Sequence, residues 1–390
     1  MACIIAGFAG EALKKALPII FLIGLFIFLG LQATGQGSLS LQLYRAASEG
    51  RVAEIQPLLK RGANIEARFA DGEIWPFIAD DIKRTPLIAA AINGKIDVLQ
   101  VLLKNGANIE ATDDNNNTAL IDAATAGQTE AVRQLLKNGA NVNAVGAKGE
   151  TALDAAAEEG KTDVAQVLLD NSADMEATGD IANGTALILA AKNGHADIVQ
   201  LLLYRGAKIE PGGSSGYETA LTQAACNGDT EVVRLLLAKD ANIEARNSNG
   251  ETALMEAAAC GKTAAARLLL DKGANIEARS NDGRTALLWA AFGHRTAVAR
   301  LLLDKGANIE AATNDGDTAL IAAACSEADE TGAEKPALVQ LLLNKGANLD
   351  AQNKAGLTPM TCPNRIKPPA VADLLEQASR EKKTAAGKPQ

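Results

Sequence analysis

Aromatic side chains are scarce in this chain of 390 residues: two Trp, three Tyr and seven Phe, 3% of the total. Hydrophobic residues nevertheless make up 47%. A core of that composition is built from Ala, Leu, Ile and Val, which suits thin, closely packed helices rather than a bulky globular centre. Histidine occurs twice and cysteine five times, scattered along the chain, which leaves little material for a metal centre or an activated nucleophile. Basic residues are also short: 38 Lys and Arg stand against 47 Asp and Glu, a formal charge of −9. A general nucleic-acid binder needs a basic face for phosphates, so the balance argues against that class.

Long apolar runs are missing too, with one exception. Lys14 and Lys15 precede "ALPIIFLIGLFIFLGL" (16–31), and the small and polar "QATGQGS" follows. A positive flank, an apolar stretch and small residues predict an export segment over 1–37, either a signal peptide or an uncleaved membrane anchor. The run is short for a comfortable transmembrane helix of about 20 residues. The basic side is N-terminal, so the positive-inside rule sends the remaining chain across the cytoplasmic membrane. The expected location is periplasmic or extracytoplasmic, or attached to the membrane through residues 16–35.

What the chain has in abundance is one phrase. "KGANIEA" stands at 272–278 and again at 305–311, with looser copies at 61–67, 105–111, 138–144, 171–177, 205–211, 239–245 and 345–351. A Thr followed by Ala or Pro recurs at Thr85, Thr118, Thr151, Thr185, Thr219, Thr252, Thr285, Thr318 and Thr358, in steps of 33, 33, 34, 34, 33, 33, 33 and 40 residues. Each copy reads as two short helices. Thr suits the N-cap, where its hydroxyl accepts from an orphan N–H. Pro86 and Pro359 fit the first helical position. Paired alanines such as Ala257 and Ala258 let neighbouring helices approach closely. Gly94, Gly127, Gly160 or Gly261 ends the first helix, since Gly tolerates positive φ. The second helix carries apolar residues at helical spacing, as in Val98, Val101 and Leu102. In the phrase, Gly ends that helix, Asn favours the turn, Ile anchors, and Glu-Ala leads into a hairpin. One such unit cannot bury its apolar face alone, so the copies must stack into a solenoid.

Period, Thr signature, glycines and phrase together resemble the ankyrin-repeat family over roughly residues 39–377. The expected fold is all-α: an ankyrin-repeat solenoid of about nine to ten stacked helix-turn-helix units with β-hairpin tips, behind the apolar N-terminal segment. The repeat domain spans 38–377, with an N-cap repeat at 39–67, an insert at 68–84, repeats starting near 85, 118, 151, 185, 219, 252, 285 and 318, and a C-cap repeat at 358–377. A disordered basic tail is predicted for 378–390. The family signature His is missing. Its place holds Ile88, Ile121, Asp154, Ile188, Thr222, Met255, Leu288 and Ile321 in the first eight copies, so packing is expected to replace a polar contact there.

Several motifs tempt and fail. "GGSSG" (212–216) matches G-x-S-x-G around Ser214, but it replaces a repeat hairpin and lacks the strand-to-helix setting of a nucleophile elbow. "GKT" at 160–162 and 261–263 lacks the earlier Gly of a phosphate loop, where Ala155 and Glu256 stand. "DDNNNT" (113–118) lacks the Gly and distal Glu of a calcium loop. His195 and His294 lie three repeats apart, too far for one metal. Cys226, Cys260 and Cys325 fall seven or eight residues after their Thr. With neighbouring helices about 8–10 Å apart, they are expected to be free thiols rather than bridged. No cofactor, metal or catalytic group is expected.

The resemblance implies a non-enzymatic scaffold, and a monomer, that binds a protein partner through a concave face of first helices and hairpin tips. Positions four, seven and eight after each Thr would line that face. The candidates are Asp122, Gln223, Glu256 and Trp289, with Phe292 three residues on from Trp289 and His294 beside it. Trp289 and Phe292 form an aromatic patch on one helical face or fill a gap between repeats. In the insert, Trp75 and Phe77 clasp a partner or fold back over the N-terminal cap. The alternative role is a membrane-anchored structural or assembly subunit.

Overall fold

The computed structural model describes residues 35–70, 81–177, 184–210, 218–326, 334–361 and 369–386. The apolar run at 16–31, Trp75, Phe77, Ser214 and Cys362 lie outside them. The chain divides into two compact units, the first running to Asp174 and the second comprising nearly all that follows. Among the described residues, no helix is long and apolar enough to cross a membrane.

Unit 1 holds four helix pairs: α1 (Gly35–Glu49) with α2 (Val52–Lys60), α3 (Pro86–Ile92) with α4 (Ile96–Lys104), α5 (Ala119–Thr125) with α6 (Thr129–Lys137), and α7 (Ala152–Glu158) with α8 (Thr162–Asp170). First helices pack in one row and second helices in another. Between α2 and α3, the arms of the insert pair as a short antiparallel hairpin, β1 (Phe69–Ala70) with β2 (Lys83–Arg84), in the register Phe69 to Arg84. Phe69 meets the buried Tyr44 of α1 edge to face, ring centroids 5.8 Å apart.

Unit 2 repeats the plan five times: α9 (Ala186–Asn193) with α10 (Ala196–Arg205), α11 (Ala220–Asn227) with α12 (Thr230–Ala238), α13 (Ala253–Ala259) with α14 (Thr263–Asp271), α15 (Ala286–Phe292) with α16 (Thr296–Asp304), and α17 (Ala319–Cys325) with α18 (Glu334–Asn344). A last helix, α19 (Pro369–Ala386), packs on α18. The tail expected to be disordered from 378 is therefore helical as far as Ala386. Val371 and Leu375 are buried, and the pairs Glu376–Arg380 and Gln377–Glu381 support the exposed end at helical spacing.

Six of the nine threonines act as expected; Thr185 and Thr252 stand at N-caps without a side-chain cap bond, and among the described residues no helix follows directly on Thr358. The Oγ1 atoms of Thr85, Thr118, Thr151, Thr219, Thr285 and Thr318 accept from the backbone N–H three residues on. At the place of the signature His, Ile88, Ile121, Ile188, Met255, Leu288 and Ile321 are buried. Asp154 and Thr222 instead close capping boxes with their N-cap threonines. Burial drives the stack: each fully enclosed Leu or Ile is worth roughly 1.5–3 kcal/mol.

The recurring phrase does more than end a helix. Its Asn Oδ1 accepts from the N–H two residues on, as in Asn275 to Glu277 and Asn308 to Glu310. Its Glu carboxylate accepts the Asn N–H of the next copy, 2.8 Å from Glu277 to Asn308 and from Glu310 to Asn348. The same link joins Glu66 to Asn108 and Glu110 to Asn141 in unit 1. Where hairpin tips were expected, the described segments of unit 2 are turns, and successive ones are tied by Asn281 N–H to Asn249 O and Asn314 N–H to Asp282 O, both 2.9 Å.

Candidate functional site

Stacking in unit 2 brings equivalent positions of successive repeats side by side. Gln223, Glu256 and Trp289 each stand four residues after an N-cap Thr, on α11, α13 and α15, and all three are half-buried. Glu218 and Glu251 each immediately precede such a Thr and meet at the side chain of Asn247. The Asn247 Nδ2 lies 3.3 Å from both oxygens of Glu218, 2.8 Å from Glu251 Oε2 and 3.0 Å from Glu256 Oε1. Three carboxyl groups thus converge on one amide. Among the described residues no Lys or Arg forms an ion pair with any of them. Burial, then the charges of Glu218 and Glu251, push the Glu256 carboxyl up to about 8. It therefore holds its proton near neutral pH and shares a hydrogen bond with Glu251.

Beside the carboxyls, Arg284 reaches over two rings. Its guanidinium carbon is 4.5 Å from the Trp289 ring centroid and 4.4 Å from that of Phe292. The Nε of Arg284 lies 3.0 Å from Asp282 Oδ2, a charge contact without a well-directed hydrogen bond. Two half-buried aromatics share one cation, so rings and charge form a single rigid cluster. The indole Nε1 of Trp289 is shielded and has no hydrogen-bond partner among the described residues.

Two sequence candidates are not at this surface. His294 is 3% exposed, and its Nε2 lies 3.0 Å from Ser326 Oγ. The Ser326 carbonyl in turn accepts from the Nζ of Lys335, whose pKa burial lowers. His294 is thus a buried contact to Ser326 at the end of α17. Asp122, in unit 1, is 9% exposed; Asn117 donates to its Oδ1 at 3.3 Å and Arg84 Nε stands 3.9 Å from its Oδ2. Both were expected on the concave face that the family resemblance implies; Ser326 of the next repeat and Arg84 of the β1–β2 hairpin stand against them.

The cysteines also depart from expectation. Cys226 and Cys260 form a disulfide across 34 residues, with Cα atoms 5.3 Å apart. The helices α11 and α13 meet through Ala224, Ala225, Ala257 and Ala258, all buried. Methyl-sized side chains let the helix ends come closer than the usual axial spacing, within disulfide reach. Cys325 is disulfide-bonded as well.

Sequence patterns can now be set beside the geometry. A family model for ankyrin repeats in sets of three matches residues 43–146, 140–212, 210–280 and 277–353. The chain is an ankyrin-repeat protein. Ankyrin repeats generally mediate protein–protein interaction and are generally non-enzymatic scaffolds. No curated protein matches the sequence. Within this ankyrin-repeat chain, sequence reasoning named Gln223, Glu256, Trp289 and Phe292 but missed Glu218, Asn247, Glu251 and Arg284. The available signal was the residue just before each Thr, which is charged at 218, 251, 284 and 317.

Proposed function

We propose that the protein is an exported, non-enzymatic scaffold that docks a protein partner on the first-helix and hairpin face of unit 2. The contact residues are Gln223, Glu256, Trp289 and Phe292, flanked by Glu218, Glu251 and Arg284. One observation carries this reading: in a chain with 3% aromatics, two half-exposed rings are held by Arg284 beside three carboxyls that form no ion pair with a Lys or Arg among the described residues. Aromatic and Arg side chains of that kind are enriched in binding hot spots. Export is supported by the basic-then-apolar pattern at 14–31 and by disulfide-bonded Cys226, Cys260 and Cys325, which suit an oxidising compartment.

The test is capture of partners from the host's envelope fraction with the full chain and with a Trp289→Ala/Phe292→Ala variant whose thermal unfolding is checked. A partner retained by the wild type and lost by the folded variant supports the site. Equal retention by both moves the contact elsewhere. Capture of nothing, with an uncleaved N-terminus on the native protein, favours a membrane-anchored structural subunit.

A further inference from the structure

Two sulfurs and a carboxyl group converge at the edge of the acidic cluster. Cys226 lies in the last turn of α11, Cys260 directly follows α13, and Glu256 stands four residues before Cys260, one helical turn away on the same side. Both Sγ atoms and a Glu256 oxygen lie within 4.8 Å of one another, and all three residues are half-buried. We propose that Cys226, Cys260 and Glu256 form a binding site for a thiophilic divalent cation of the zinc type once the Cys226–Cys260 disulfide is reduced.

The donor set selects the metal class. Thiolates favour zinc over calcium or magnesium, and a carboxylate oxygen is an ordinary third ligand for it. Two zinc–sulfur bonds of about 2.3 Å at a tetrahedral angle place the sulfurs about 3.8 Å apart. Cα atoms 5.3 Å apart accommodate that separation by side-chain rotation. Asn247 already orients Glu256 through a 3.0 Å hydrogen bond, the kind of support that ligating carboxylates require. Glu218 and Glu251 add negative potential around the place a cation would take. Partial exposure leaves an entry path and a fourth position for water.

The steps balance without further groups. A small dithiol reductant gives two electrons and two protons to the cysteine sulfurs and closes to its own disulfide. Binding of the cation then releases both thiol protons, and the proton held by the Glu256 carboxyl, to buffer. Disulfide and cation use the same two sulfurs, so they exclude each other. Each ties α11 to α13, one by a covalent bond and the other through an ion that also offsets the carboxyl charge beside Trp289.

Anaerobic titration of the dithiol-reduced full chain with Co(II), read by absorption, tests the site. The expected result is a thiolate-to-cobalt charge-transfer band with tetrahedral ligand-field bands, saturable and displaced by Zn(II). The oxidised chain should give no band. Cys226→Ser should abolish it, Cys325→Ser should leave it, and Glu256→Gln should weaken binding by about tenfold or more. No band in the reduced chain, a band that survives Cys226→Ser, or one that Cys325→Ser abolishes overturns the proposal. So does unchanged affinity in Glu256→Gln, which keeps both cysteines and decides the matter if Cys226→Ser fails to fold.

Discussion

Four non-glycine residues occupy left-handed backbone at places where other repeats have Gly, one of them Asn116 (φ 57°) two residues before Thr118. Ser172 (φ 66°) and Asp240 (φ 63°) replace the Gly of the recurring phrase, and His294 (φ 54°) replaces the Gly after a first helix. At Gly273 and Gly306, the matching positions of the exact phrase copies, a Cβ would meet nothing within 4 Å. The cost at Ser172 is therefore the backbone conformation itself, not a clash. Ser172→Gly is expected to stabilise the protein by roughly 1 kcal/mol, read as a rise in Tm. No rise would mean that the serine side chain compensates locally. At His294 the same strain is retained alongside the contact with Ser326.

Asp154 belongs to the residue scale too. Burial raises its carboxyl from 3.8 to about 6, against the opposing pull of the Thr151 hydrogen bonds, with Glu150 and Asp174 adding to the rise. A carboxyl with a raised folded-state pKa binds more protons folded than unfolded between those values. Its contribution is fully present below about pH 4 and is lost as pH rises through 6. The loss amounts to roughly 3 kcal/mol by neutral pH. Asp154→Asn should therefore unfold at a higher temperature than wild type at pH 8, and the gap should close towards pH 4. A gap of constant size across that range would show that charge is not the cause.

At the scale of the element, the phrase Glu links one repeat to the next. Glu277 accepts the Asn308 N–H at 2.8 Å from an exposed position, so a modest net energy is expected, about 1 kcal/mol. Glu277→Ala should lower stability by that amount and speed hydrogen exchange at the Asn308 amide. Glu277→Gln, which keeps the acceptor oxygen, should restore most of the protection. Equal exchange in all three proteins would remove the link from the account. The phrase announced a repeat because it recurs within each unit. Its Glu contact was not legible, since the partner N–H sits in the following copy, 31 residues away.

For the whole molecule, the fold was written in the chain nine times over: Thr caps, glycines and paired alanines each have a local meaning, and their agreement defines the stack. The candidate site was legible only in part. Trp289, Phe292, Gln223 and Glu256 could be found because they share helix positions. Glu218, Asn247 and Glu251 lie just before first helices, where their side chains meet only after stacking. The disulfide was hidden for a related reason: Cys226 falls seven residues after its Thr and Cys260 eight, an offset whose meaning depends on how closely two alanine-lined helix ends approach.

Photo-crosslinking from single positions tests the docking face most directly. A photoreactive residue would replace Gln223, on the first-helix face, or Tyr204, 81% exposed on the second helix α10. Irradiation in the native envelope is expected to give a discrete adduct from position 223 that Trp289→Ala removes, and none from position 204. A partner adduct formed from position 204 and not from 223, or one at 223 indifferent to Trp289→Ala, would contradict the proposed site.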